Sequence, residues 1–278
     1  MIHRLFGQRE NLAPNYIILG LLCAFAVIPI LILGFNSLKS NLELGENSIG
    51  FPRQFQWSNY PDAWEQGGFA VTMTNSVIFV VGTVTGVVVL GGMAAYALAR
   101  LNPRGSNLYM IYMLSLSTIP FWLYAVPLFI LWKNLSLLNT RFGLIIIYIA
   151  LNSPFAIFLL RSFLVKFPPD FEDAARVDGA TEMQVLTKVV MPIMCPGLLT
   201  VALVVALGVW GEFQIALIFM QEDEKMPLTT SYFNFMRRFS RDWSLTAAGA
   251  IMMILPVLII FMGLQRRFVE GLTQGGLK

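Results

Sequence analysis

Residues 168–192 read PPDFEDAARVDGATEMQVLTKVVMP. Between two long apolar runs they place Asp170, Glu172, Asp173, Arg176, Asp178, Glu182 and Lys188. A charge at the centre of a bilayer costs about 2.5–3.5 kcal/mol on insertion scales, so a segment this charged stays in water. The stretch is a loop joining two membrane spans, and the apolar runs on either side are the spans.

The loop is written as two short helices with a hinge. Pro168 and Pro169 stop the preceding helix, because proline removes a backbone donor and clashes with the turn before it. Asp170 is placed to cap the next helix, with Asp173 three residues on. Phe171, Ala174, Ala175 and Val177 supply its apolar and small positions. Asp178-Gly179 is a turn signal, since glycine reaches the left-handed conformation that closes a helix. Thr181-Glu182-Met183-Gln184 fits a capping box for a second helix. Leu186, Val189 and Val190 follow at helical spacing, and Pro192 marks the next break. Ala174 and Ala175 leave a face that another protein can approach closely.

The pattern D-A-A-x-x-D-G-A from Asp173 to Ala180, followed by Pro192 and Pro196, resembles the EAA loop of ABC importer permeases. The resemblance implies a coupling helix that docks in a groove of a cytoplasmic ATPase subunit. It assigns that role to Glu172, Asp173, Ala174, Ala175, Asp178, Gly179 and Ala180. The family's first position is usually Glu; here Asp173, one methylene shorter, follows Glu172. The competing reading is a solvated amphipathic loop with no partner.

Composition agrees with membrane spans. Of the 278 residues 56% are hydrophobic and 13% charged, against about 25% charged in ordinary soluble domains. One membrane domain is expected. The net charge of +3 comes without a basic block, so nucleic acid is not an expected partner. Cys23 and Cys195 lie in or beside apolar runs and read as buried thiols, not as a disulfide or metal pair. His3 is the only histidine, which leaves metal sites and histidine-based catalysis almost nothing to use.

In chain order, residues 1–15 form an N-terminal tail and residues 16–36 an uncleaved first span, long enough for a core of about 30 Å. Residues 37–69 are polar, with Trp57, Tyr60 and Trp64 suited to an interface. Phe55 to Trp64, with its Asn59-Tyr60 pair, resembles the extracytoplasmic segment of sugar-type permeases, though an ordinary interfacial loop explains the tryptophans equally well. The second span, 70–98, carries Gly82 and Gly86 at the spacing that lets helices approach closely. The third, 106–132, contains Pro120 and Pro127, and the fourth, 144–163, Pro154. Asn152-Ser153-Pro154-Phe155, running into Leu160-Arg161-Ser162-Phe163, again resembles sugar-type permeases. The fifth span is 193–220, a polar loop covers 221–244, and the sixth span is 245–264. The tail, 265–278, contains VEGLT at Val269 to Thr273 and resembles the sugar-type C-terminus. The fold expected is all-α and integral to the membrane: six transmembrane helices of the type I ABC importer permease class. The permease domain is 16–264, the coupling loop 168–192, and both tails are cytoplasmic. With the N-terminus inside, eleven lysines and arginines fall on inner segments and eight on outer ones, a modest vote for that orientation.

Glu212, in Val209-Trp210-Gly211-Glu212-Phe213-Gln214, is the only acid deep in an apolar run. An intramembrane carboxylate needs water, a partner or a polar ligand. One reading lines the translocation path with Glu212 and lets Trp210 and Phe213 stack on sugar faces; W-x-E-F resembles the sugar-type family here. The other gives Glu212 a place at the outer interface or a helix–helix hydrogen bond.

ATP hydrolysis is not encoded. Gly271 and Gly276 have P-loop spacing, but Leu277 stands where the lysine belongs, and no strand precedes them. No G-x-S-x-G is present. The chain is therefore expected to be a transport subunit, not an enzyme, with no cofactor, catalytic residue or metal of its own. ATP and Mg would be bound by a partner ATPase. The resemblance implies a heterodimer with a second related permease, two ATPase subunits, an extracytoplasmic binding protein and a place in a prokaryotic inner membrane. The cargo it implies is a sugar or oligosaccharide. The rivals are the same machinery for a polyol, glycerol phosphoester or peptide, an ion-coupled secondary transporter, and a non-transporting scaffold. The secondary transporter should show internal repeats and paired intramembrane charges, and neither is visible.

Overall fold

The computed structural model describes residues 13–276, all helices and connections with no strand among them. Along the chain the helices are α1 (Ala13–Asn36), α2 (Asn41–Glu46), α3 (Asn59–Gln66), α4 (Phe69–Tyr96), α5 (Ser106–Ser117), α6 (Phe121–Asn134) and α7 (Arg141–Lys166). They continue as α8 (Asp170–Val177), α9 (Glu182–Gln184), α10 (Met191–Ile193), α11 (Cys195–Gly211), α12 (Gln214–Phe219), α13 (Leu228–Arg238) and α14 (Trp243–Gly276). Two π-helical turns, Ala97–Leu101 and Val185–Val190, are inserted after α4 and α9. His3 and the other residues of 1–12 lie outside the described residues, as do 277 and 278.

Four helical segments are long and apolar enough to cross a membrane: Pro14–Asn36, Phe69–Leu101, Arg141–Lys166 and Trp243–Gly263. Two more qualify as bent pairs, Ser106–Ser117 with Phe121–Asn134 (95°) and Glu182–Ile193 with Cys195–Gly211 (75°). Counting each pair once gives six, in the expected order. In the second pair the charges Glu182 and Lys188 keep the first arm with the loop, and Cys195–Gly211 is the crossing part.

Several details differ from the sequence reading. The third span is not one gently bent helix: it stops at Ser117 and restarts at Phe121, with Pro120 as the new cap. Pro120 cannot donate a helical hydrogen bond, and the hydroxyls of Ser117 and Thr118 take the carbonyls of Leu114 and Ser115 at 2.7 Å each. Pro127 and Pro154, by contrast, lie inside continuous helices as read. The fifth span ends at Gly211, where Glu212 turns to an extended conformation (φ −70°, ψ 129°), and a separate short helix follows. The break after the charged loop falls at Met194, two residues beyond Pro192. The two thiols are exposed, not buried: an apolar run built for lipid has no need to turn its cysteine toward a core.

The chain divides into two compact units. One comprises residues 13–66 of the described chain with 235–252. There the Asn59 amide donates to the carbonyls of Ser37 and Lys39, both at 2.9 Å, and the Tyr60 hydroxyl bonds Ser37 Oγ at 2.8 Å. The Asn-Tyr pair thus pins the end of α1. Lys39 is fully buried, its ammonium donating to the Asn47 carbonyl at 2.6 Å and to Asn36 Oδ1 at 3.0 Å; burial lowers its pKa. Asn41 reaches the start of α14, donating to the Arg241 carbonyl and accepting from the Trp243 N–H.

The other unit, residues 67–234 with 253–276, holds the main core. Its α4 packs along α7 and α11. A Cβ on Gly82 would come within 2.8 Å of Ile145, and one on Gly86 would overlap Ile149. The small-residue spacing therefore does bring α4 close to α7. Phe79, Val87, Leu144, Tyr148, Leu160 and Val201 fill the seam, all nearly inaccessible.

Candidate coupling site

The charged loop folds as its caps dictate. α8 closes with a Schellman motif: the Ala180 N–H donates to the Ala175 carbonyl and the Gly179 N–H to the Arg176 carbonyl, both at 3.0 Å. Gly179 sits at φ +84°, the left-handed region where a side chain is strained. The capping box forms at Thr181: its N–H donates to Gln184 Oε1 at 2.8 Å, and the Gln184 N–H donates to Thr181 Oγ1 at 3.4 Å. Asp170 does not cap α8. Pro169 occupies that position and Asp170 is the first helical residue. The helix therefore starts one residue earlier than expected, and the first-turn acids Asp170, Glu172 and Asp173 lie at its positive end instead.

The assigned coupling residues divide between two sides. Asp173, Ala174, Asp178 and Gly179 are exposed. With them stand Phe171 at 61% and Val177 at 87% exposure, and Met183 at 58%. Ala175 and Ala180 are half-buried against the core, and the loop is rooted there by Val185, Leu186 and Val190. Glu172 turns inward and is 3% exposed, against Arg100 from the π-helical turn after α4 (Nε to Oε1, 2.6 Å). Arg176 holds the hinge: it bonds Asp173 and Glu182 at 2.8 Å each and the Tyr96 hydroxyl at 3.1 Å. The hydrogen bond from Arg176, then that from Tyr96, pulls the Glu182 carboxyl down to about 2, and the same Glu182 bond raises the Arg176 pKa.

The residues assigned to the translocation path are brought together, but each is engaged by the protein itself. Glu212 accepts the N–H groups of Ile215 (2.7 Å) and Ala216 (3.0 Å), capping α12, and the hydroxyl of Tyr148 (2.7 Å). The Glu212 carbonyl accepts from Thr229 Oγ1 at 2.7 Å. Trp210 is 8% exposed and donates its indole N–H to the Met253 carbonyl. Phe213 packs on Phe233 with centroids 5.0 Å apart. Of the two readings of Glu212, the helix–helix hydrogen bond is made. Sequence reasoning missed Tyr96, Arg100 and Tyr148. Tyr96 and Arg100, four residues apart at the polar end of the second span and beside Arg104, carried the one signal that could have found two of them.

Apolar helices long enough to cross a membrane, two of them joined by a capped, charged elbow, define the class of a multi-pass membrane protein. The chain belongs to the family of binding-protein-dependent transport system inner membrane components, whose profile matches residues 87–274. It is a permease subunit of the ABC type and not an enzyme. It is 33% identical over 271 residues to a diacetylchitobiose uptake system permease of Streptomyces coelicolor, covering 97% of this chain and 90% of that one. It is 33% identical over 260 residues to a trehalose transport system permease of Mycobacterium tuberculosis, covering 93% and 94%. Among solved structures it is similar to a bacterial ABC transporter involved in importing the acidic polysaccharide alginate. That likeness has a TM-score of 0.78 at 25% identity and covers 92% of this chain and 95% of that one.

Proposed function

We propose that this subunit carries a sugar or oligosaccharide across the prokaryotic inner membrane, driven by ATP that a separate subunit hydrolyses. The observation that carries the reading is the loop. Its helices are fixed by a Schellman motif and a capping box, yet Phe171, Val177 and Met183 stand exposed beside Asp173, Ala174 and Asp178. Such a face suits an ATPase groove on the cytoplasmic side. The cargo rests on relatives: besides the two above, a melibiose, raffinose and stachyose import permease of Bacillus subtilis is 29% identical.

The assembly has a second related permease, two ATPase subunits that bind ATP and Mg, and an extracytoplasmic binding protein that delivers cargo. Both termini of this chain are cytoplasmic. Closure of the ATPase dimer moves the docked loop, and the loop turns the spans. It can bias the inward–outward equilibrium only because its docking energy differs between the two ATPase states. Glu172 serves this from inside the chain, not at the docking surface.

Gly179→Pro tests the lever. Proline fixes φ near −65°, which the turn at +84° cannot accept. The variant should insert in the membrane and lose uptake of radiolabelled trehalose, diacetylchitobiose or raffinose, whichever the wild type takes up. ATP hydrolysis should persist without transport. Normal uptake in this variant would refute the lever, and uptake of a polyol or peptide with none of the sugars would refute the cargo.

A further inference from the structure

Arg100 stands where three helices meet. It lies on the π-helical turn Ala97–Leu101, which extends α4 to the edge of the charged loop. One guanidinium nitrogen donates to the Phe167 carbonyl at 2.9 Å, at the end of α7. Another donates to Glu172 at 2.6 Å, in the first turn of α8. The side chains are 11% and 4% exposed. A buried ion pair is a poor way to add stability, because desolvation offsets most of the attraction; apolar side chains would hold α8 in place as well. What the pair adds is direction, since a forked guanidinium fixes orientation as well as distance.

A second attachment lies one helical turn earlier. The Tyr96 hydroxyl donates to Glu182 at 2.6 Å and accepts from Arg176 at 3.1 Å. Thus α4 grips the first helix of the loop through Arg100 and the second through Tyr96, with Arg176 tying the two together. Two attachments on opposite sides of the Gly179 hinge stop the loop from pivoting about either. Glu172 Oε2 is buried and accepts no hydrogen bond, and Arg176 lies 3.7 Å from it. The Glu172 carboxylate thus faces both cations of the clamp, Arg100 through Oε1 at 2.6 Å and Arg176 through Oε2 at 3.7 Å.

We infer that Arg100 and Glu172, backed by Tyr96, Arg176 and Glu182, are positioning residues that make the charged loop and α4 one rigid lever. The inference rests on the coupling reading above and names the side chains that carry the movement into the spans. At rest, Val185, Leu186 and Val190 still root the loop in the core, so loss of the clamp shows only when the loop is pushed.

The test uses the assembled transporter in nanodiscs, with spin labels at Lys188 on the loop and Val81 on α4. In the wild type the distance between them should stay single and narrow with and without ATP–vanadate. In Glu172→Gln, and in Arg100→Gln with Glu172→Gln, it should match the wild type without nucleotide and lose its single narrow form in ATP–vanadate. The double variant leaves no unpaired buried charge, so it decides the matter if Glu172→Gln alone does not assemble. Narrow, wild-type distances in both variants under ATP–vanadate would overturn the clamp. Failure of any ATPase to co-purify with the wild type would instead overturn the coupling reading, a separate outcome.

Discussion

Replacing Glu212 distinguishes a structural carboxylate from a cargo ligand. Its two oxygens accept three hydrogen bonds, from Ile215, Ala216 and Tyr148. Glu212→Ala frees two N–H groups at the start of α12, and losing a helix cap costs about 0.5–2 kcal/mol. It also strands the hydroxyl of Tyr148, itself 2% exposed, and a buried unpaired donor costs about 1–3 kcal/mol. Together these give a loss of about 2–5 kcal/mol in unfolding free energy. Tyr148→Phe removes a single bond and should cost about 1–2 kcal/mol. In the Tyr148→Phe background, Glu212→Ala should cost only the cap portion, leaving a coupling of about 1–3 kcal/mol between the two sites. The assay is reversible unfolding of the purified chain in mixed micelles for wild type, both single variants and the double. If Glu212→Ala unfolds within about 0.5 kcal/mol of wild type while sugar uptake collapses, the reasoning is refuted and the carboxylate belongs to the cargo path.

Two further perturbations follow from the same geometry. Gly143→Ala should destabilise by about 1–3 kcal/mol in the same assay, as overpacking does, because a Cβ there would overlap the Leu137 carbonyl. Gly20→Ala, where a Cβ meets nothing within 4 Å, is the matched control and should be neutral. The Glu182 contact should be acid-sensitive. Its pKa is lowered from 4.5 to about 2 by Arg176 and Tyr96, so its contribution is complete above about 4.5 and is lost as pH falls toward 2. Amide protection across residues 176–184, taken relative to intrinsic exchange at each pH, should fall over that window, and the fall should be absent in Glu182→Gln.

Much of the charged loop was legible because it is local chemistry. The Gly179 turn and the Thr181–Gln184 capping box are set within four residues, and both formed as read. The spacing of Gly82 and Gly86 likewise foretold close packing. What the sequence concealed depends on partners far along the chain. By sequence Glu172 groups with the residues expected to couple to the ATPase; its cation lies 72 residues away in the same chain. Glu212 looked like an acid stranded in one long helix. Its hydroxyl donor is 64 residues distant, and the helix break that lets it cap α12 has no proline to announce it. Among the prolines only Pro120 misled: read as lying inside a span, it ends one helix and caps the next, while Pro127 and Pro154 lie inside helices as read.

The corner at Pro120 bears on how this protein tolerates its surroundings. At 1.5 Å per residue the 12-residue α5 and the 14-residue α6 reach only about 18 and 21 Å, each short of a hydrocarbon layer of about 30 Å. Neither arm crosses alone, so the chain turns a right angle at depth, where lipid offers no partner to a bare carbonyl. Serine and threonine hydroxyls at 115, 117 and 118 fold back onto the carbonyls of Ile111, Leu114 and Ser115. The bend thus brings its own substitute for water: the Ser115 carbonyl also keeps the Thr118 N–H at 3.2 Å, and alanine at all three positions would strip the second donor the hydroxyls supply.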